Sequence, residues 1–96
     1  MTNLKKSEKD VRAEVKSYLE WTGWFVYHLL QGLGCYPGLS DLVAVKNGRV
    51  AHIELKTATG KQSAVQKEFQ AKIEAAGGTY IVARCLEDVE HLNKEG

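Results

Sequence analysis

The sequence predicts a small α/β fold, a mixed sheet with helices packed on it, in the order α-β-β-β-α-β-α. Three observations predict it. Apolar residues recur at helical spacing in two segments, Val11, Val15, Tyr18, Leu19 and Val65, Phe69, Ile73, Ala76. Short β-branched and aromatic runs lie between and after them. Asn47-Gly48, the dipeptide most favoured in a two-residue type I′ turn, joins Leu42-Val43-Ala44-Val45 to Val50-Ala51-His52-Ile53.

In chain order, Ser7 or its neighbourhood starts a first helix, which should end near Gly23. Trp24 to Leu30 has the composition of a strand. Gln31 to Gly38 carries three glycines and the only proline, so it is expected to be a loop leading into Asp41. The hairpin follows, then a polar connector from Thr57 to Gln62. A second helix starts at Ser63, with Val65, Phe69, Ile73 and Ala76 as its buried stripe, and Gly77-Gly78 stops it. Thr79 to Ala83 is a fourth strand and Leu86 to Lys94 a short closing helix. Two helices should cover the apolar side of the sheet.

At 96 residues the chain is expected to be one domain, 1–96, with a single modest core. Its 44% hydrophobic and 26% charged content argues against disorder and against a membrane protein. No apolar run approaches the roughly 20 residues needed to span a bilayer. The polar start Thr2-Asn3-Leu4-Lys5-Lys6 lacks the apolar stretch of a signal peptide. An intracellular, cytoplasmic location is expected, the host cytoplasm if the chain is virus-encoded. Cys35 and Cys85 form no CxxC pair and have no histidine at zinc-finger spacing, so reduced thiols are expected.

The net charge of +1 does not mark a nucleic-acid binder, yet the bases cluster. Lys5, Lys6, Lys9, Arg12 and Lys16 crowd the N-terminal segment, and Lys46, Arg49, Lys56 and Lys61 surround the hairpin. Such patches contact phosphates, or are simply a solvated face. Trp21 and Trp24 suit packing between first helix and sheet better than base stacking. Tyr36, in the glycine-rich loop, is a candidate nucleic-acid contact near Asp41.

The hairpin turn sets a register in which paired positions sum to 95: Lys46 with Arg49, Val43 with His52, and Asp41 with Glu54. Directly opposed carboxylates repel, with Cβ atoms about 4.5–5.5 Å apart, and a bound cation would offset this. Strand periodicity places His52, Glu54 and Lys56 on one face. From the hairpin alone, Asp41, Glu54 and Lys56 are equally a metal site or a solvated charged edge, and a different turn or bulge would break the register. His52 is a neighbour of that site and not a ligand. Ser63-Ala64-Val65-Gln66 forms a capping box.

Gly38-Leu39-Ser40-Asp41-Leu42, then Ile53-Glu54-Leu55-Lys56 thirteen positions on, then Gly60-Lys61-Gln62-Ser63-Ala64-Val65-Gln66, together resemble the VRR-NUC family, the virus-type replication-repair nucleases of the PD-(D/E)xK superfamily. The resemblance runs from about Glu8 to Ala83. It implies a restriction-endonuclease-like αβββαβ core and a metal-dependent DNA endonuclease. Asp41 and Glu54 are the implied ligands of Mg²⁺, for which Mn²⁺ should substitute, with the main-chain carbonyl of Leu55 as a third. Lys56 is implied to position or activate the attacking water, or to act purely electrostatically. Gln66 then gains an active-site role that competes with capping. Glu8 is the implied first-helix acid supporting the metal, sharing the inward face with Val11 and Val15, and Glu14 is the alternative. The sequence departs from the commoner pattern at Ser40, where proline is usual, and at Arg12, where glutamine is frequent.

The expected substrate is structured or branched DNA, such as Holliday junctions, in replication, repair or recombination. A homodimer is expected, because cutting two strands needs two copies of so small a site. A competing class is a non-catalytic nucleic-acid-binding module that retains the fold, and RNA is an alternative substrate.

Overall fold

In the computed structural model, which describes residues 6–94, helix α1 spans Glu8–Trp21 and opens on a capping box. The Ser7 hydroxyl accepts from the Asp10 amide, and the Asp10 carboxylate accepts from the Ser7 amide, which holds the Asp10 pKa below the usual carboxylate range. The helix closes in a Schellman motif: the Gly23 and Trp24 amides return to the carbonyls of Glu20 and Leu19. Helix α2, Ala64–Ala75, is built the same way, capped by Ser63 and Gln66 and closed by the Gly77 and Gly78 amides on Glu74 and Ile73. A 3-10 helix, Leu86–Asn93, follows the last strand.

The sheet has the order β1-β2-β3-β4: β1 Phe25–His28, β2 Leu42–Lys46, β3 Arg49–Leu55 and β4 Thr79–Ala83. The first three strands pair antiparallel, and β4 joins β3 in parallel after the α2 crossover. The β2–β3 turn is type I′, with positive φ at Asn47 (51°) and Gly48 (78°), and the ladder runs from Lys46↔Arg49 to Leu42↔Ile53 as the turn predicts. Strand β1 is shorter than expected. Its partner starts only at Leu42, and Trp24 instead turns into the core, 3% exposed, with its indole N–H donating to Asn93.

The sheet's two faces are covered unequally. Ala51, Ile53, Leu55, Ile81 and Ala83 meet Val11, Val15 and Leu19 of α1 and Val89 and Leu92 of the 3-10 helix, forming the core. By alternation, Val50, His52, Glu54 and Tyr80 face the other way, towards α2. The expected α2 stripe is corrected here: only Phe69 is buried, Val65 and Ala76 are exposed, and Ile73 is half-buried. Phe69 packs edge-on against His52 and Tyr80, so α2 is held by one aromatic plug. The reason is that α2 covers a face carrying polar groups, while α1 and the 3-10 helix take the apolar one. No helix among the described residues is long and apolar enough to cross a membrane.

Candidate active site

Asp41 precedes β2 and is fastened on every side. Its N–H donates to the Ile53 carbonyl at 3.0 Å and its carbonyl accepts from the Leu29 amide at 2.9 Å. Its Oδ2 accepts from the Leu55 amide at 2.8 Å and its Oδ1 from the Gln31 side chain at 3.1 Å. The same Gln31 nitrogen donates to the Leu39 carbonyl, tying down the glycine-rich loop. The direct pairing of Asp41 with Glu54 is therefore corrected. The ladder ends at Leu42↔Ile53, and Asp41 bonds back to a residue already paired, as at a bulge. Asp41 answers Leu55 through its side chain, one step beyond the partner that the turn register gives it.

Gly38 explains the motif glycine. At φ +79° it lies against the first turn of α2, where a Cβ would overlap the carbonyl oxygen of Val65 and stand 2.7 Å from its carbon. Tyr36 reinforces the seam, stacking on Phe69 and accepting a hydrogen bond from Lys72 at 3.0 Å. Ser40, at the usual proline position, is fully buried and its hydroxyl has no hydrogen-bond partner, so the position uses shape and not polarity.

Glu54 is fully buried in the penultimate position of β3. Its Oε1 accepts a hydrogen bond from the Tyr80 hydroxyl and a second from Gln62 Nε2 at 3.3 Å. Its Oε2 has no hydrogen bond and lies 3.5 Å from Lys56 Nζ, an ion pair at long range. Burial above all, and then the bond to Glu54, raise the Tyr80 pKa, so Tyr80 remains a protonated donor at neutral pH. The connector bearing Gln62 is held by Arg84, whose Nη1 donates to the carbonyls of Thr57 and Gly60, both at 2.6 Å.

Tyr80, Gln62 and Gln31 are the residues that sequence reasoning missed. Alternation from the core residues Ile81 and Ala83 would have put Tyr80 on the outer face, but only the parallel register, His52↔Tyr80, brings it to Glu54. Gln62 and Gln31 sit in segments without periodicity and leave no local signal.

Two expected residues lie elsewhere. Gln66 takes the capping role: its Oε1 accepts from the Ser63 amide at 2.9 Å, and the glutamines that touch the carboxylates are Gln62 and Gln31. Glu8 is exposed, not inward, and pairs with Arg12 one turn on, while Glu14 pairs with Lys6. With Lys16–Glu20, these pairs make most of the N-terminal basic cluster an ion-paired solvent face; Lys5 lies outside the described residues. At the hairpin, Lys46 donates to the Thr22 carbonyl and Arg49 lies over the Trp24 ring. Trp21, unlike Trp24, is 86% exposed. His52 lies beside Phe69 with Nδ1 buried and unpartnered, and burial lowers its pKa. Cys35 and Cys85 are free thiols.

No protein-family model matches the chain, and no curated protein matches it significantly. Among solved structures, one described as a VRR_NUC domain superposes with a TM-score of 0.76 over 92% of this chain and 95% of that one, at 22% sequence identity. The chain has the VRR-NUC fold. In that fold the mixed four-stranded sheet carries Glu54 at the end of β3 with Lys56 just after it, and Asp41 just before β2 is bonded to Leu55.

Among the described residues, no group of three or more His, Cys, Asp or Glu could hold a metal by itself. Two carboxylates are nevertheless a fitting donor set for Mg²⁺, which keeps several waters and is usually bound through one or two carboxylates plus substrate phosphate. Glu54 Oε2, which has no hydrogen bond, is the acceptor such an ion would use. The Leu55 amide already points at Asp41, and the amide and carbonyl of one strand residue point the same way.

Proposed function

We propose that this protein is a metal-dependent DNA endonuclease, with Asp41, Glu54 and the Leu55 carbonyl holding Mg²⁺ or Mn²⁺ and Lys56 beside them. The observation that carries the proposal is Glu54. A fully buried carboxylate is costly unless it is paired and hydrogen-bonded, yet here one oxygen is left without a hydrogen bond, 3.5 Å from a lysine ammonium. A fold stabilised for its own sake would fill that position with an apolar side chain. When bound, the divalent ion supplies Lewis-acid polarisation of the scissile phosphate and lowers the pKa of a coordinated water.

The chain's own residues divide the remaining work. The Leu55 and Gln31 donors hold the Asp41 carboxylate in one orientation, and the partly buried Lys56 ammonium brings positive charge to where the phosphate gains negative charge. Phosphate contacts around the site fall to the exposed Lys61 and Lys67 and to Lys72, already beside Tyr36. Glu8 supports the centre only if its side chain leaves Arg12, and Gln66 only if it gives up the Ser63 amide.

Structured or branched DNA, as at a four-way junction, is the proposed substrate, cut by a homodimer whose two copies take one strand each. The edge strand β1 offers a face for the second copy: Phe25 (66% exposed) and Tyr27 (40%) lie side by side, ring centroids 5.4 Å apart, on the face of the sheet shared with Val50 and His52. The test is a panel of duplex, single-stranded, flap and four-way-junction DNA, with RNA alongside, in Mg²⁺, Mn²⁺ or EDTA. Asp41→Ala and Lys56→Ala proteins, checked for folding by circular dichroism, run beside the wild type. Cutting should vanish in EDTA and in both variants. Metal-independent cutting, or full cutting by either folded variant, would sink the mechanism, and no cutting of any substrate would favour a binding module. Light scattering showing only monomer at assay concentration would count against paired cutting.

A further inference from the structure

We infer that Tyr80 and Gln62 are positioning residues for Glu54: both donate to Oε1, fixing the rotation of the carboxylate so that Oε2, beside Lys56, is the oxygen presented to a divalent cation. The inference rests on the metal-centre reading above and adds to it two residues outside the Asp41, Glu54 and Lys56 set.

Each donor is itself held. Tyr80 is 7% exposed, its ring pinned edge-on by Phe69 at 6.0 Å. It stands opposite His52 in the parallel ladder, one step diagonal from Glu54 on the same face, within reach of a long side chain. Gln62 Nε2 donates both to Glu54 Oε1 and to Gln70 Oε1 at 3.0 Å, using both hydrogens of the amide. A flipped Gln62 would face the carboxylate with its own oxygen, so the network sets the amide's orientation. Gln70 is held in turn by donating to Glu74 at 3.3 Å, and the connector backbone by Arg84. A carboxylate that only needed neutralising in the interior would share its donors between its oxygens. Here two donors fall on one oxygen and none on the other. Outer partners of this kind orient ligands, and their loss typically weakens metal affinity about 10–100-fold.

The experiment measures Mn²⁺ binding calorimetrically, without nucleic acid, for the wild type, Asp41→Ala, Tyr80→Phe and Gln62→Ala, with a melting curve for each. Tyr80→Phe keeps the ring against Phe69 and removes only the hydroxyl. The expected result is Asp41-dependent binding by the wild type, weakened about tenfold or more in Tyr80→Phe and in Gln62→Ala. Cutting by both variants should recover as Mn²⁺ is raised by the same factor, which a loss of stability would not produce. Gln62 lies outside the core, so Gln62→Ala carries the test if Tyr80→Phe melts early. Wild-type affinity in both variants overturns the inference and leaves the metal centre standing; no Mn²⁺ binding by the wild type overturns both.

Discussion

Replacing Gly38 by alanine should be among the most damaging single-methyl changes in this protein. Two costs add. At φ +79° an L side chain crowds its own backbone, which costs roughly 1–2 kcal/mol. The new Cβ would also meet the Val65 carbonyl group, 2.7 Å from its carbon, and main chain in the first turn of α2 cannot swing aside as the tip of a side chain can. Forced backbone shifts of this kind cost about 1–3 kcal/mol. Gly34 separates the two, because it has a similar φ of +90° with nothing within 4 Å of a Cβ. Gly34→Ala should therefore lose about 1–2 kcal/mol, and Gly38→Ala about 2–5 kcal/mol. Urea unfolding followed by tryptophan fluorescence would read the difference, and thermal unfolding would show it as roughly 4–8 °C of Tm for each kcal/mol in a domain of this size. Asp41 lies three residues beyond Gly38, so cutting should fall further than stability explains. Equal losses for the two variants, or less than about 1 kcal/mol for Gly38→Ala, would refute a close approach of loop and helix as the reason for this glycine.

Three other outcomes are expected. Arg84→Ala removes charge-assisted bonds to the Thr57 and Gly60 carbonyls, both donated by Nη1, and should cost about 2 kcal/mol by denaturant unfolding; a loss below about 0.5 kcal/mol would refute the clamp. Burial holds the His52 pKa below its ordinary value, so the unfolded chain takes up that proton first as the pH falls. The stability tied to neutral His52 is whole above about pH 6.5 and is lost as the pH falls from there through the folded pKa; a plot of Tm against pH should flatten in His52→Leu, and an unchanged slope would discount it. Ser63→Ala should lower stability by about 1 kcal/mol through the lost cap, and Gln66→Ala should lower Tm while leaving the cutting rate of folded protein nearly unchanged. A tenfold or greater loss of cutting in Gln66→Ala at unchanged Tm would instead place Gln66 at the reacting phosphate.

Much of the fold was legible because its determinants are local. The Asn47-Gly48 turn, the Ser7 and Ser63 caps and the glycine stops after each helix act over a few residues, and each is where the spacing puts it. The apolar stripe of α1 was legible too, since Val11, Val15 and Leu19 face the apolar side of the sheet. The α2 stripe misled for the converse reason. Helical spacing reports which residues share a face but not what that face meets, and α2 meets a polar one.

At the site the same division holds. The sequence by itself determined the hairpin register up to Leu42↔Ile53 and the shared face of Glu54 and Lys56, because a two-residue turn and the pleat leave no freedom in either. Only the tertiary structure decided that Asp41 leaves the ladder to bond Leu55 and Gln31, and that Gln62 and not Gln66 reaches Glu54. It also decided that Tyr80 closes on the buried carboxylate from a strand 26 residues away. Those contacts join different elements and connectors, 8 to 26 positions apart, and nothing in local propensity or periodicity encodes which side chain will fill the space beside a buried charge.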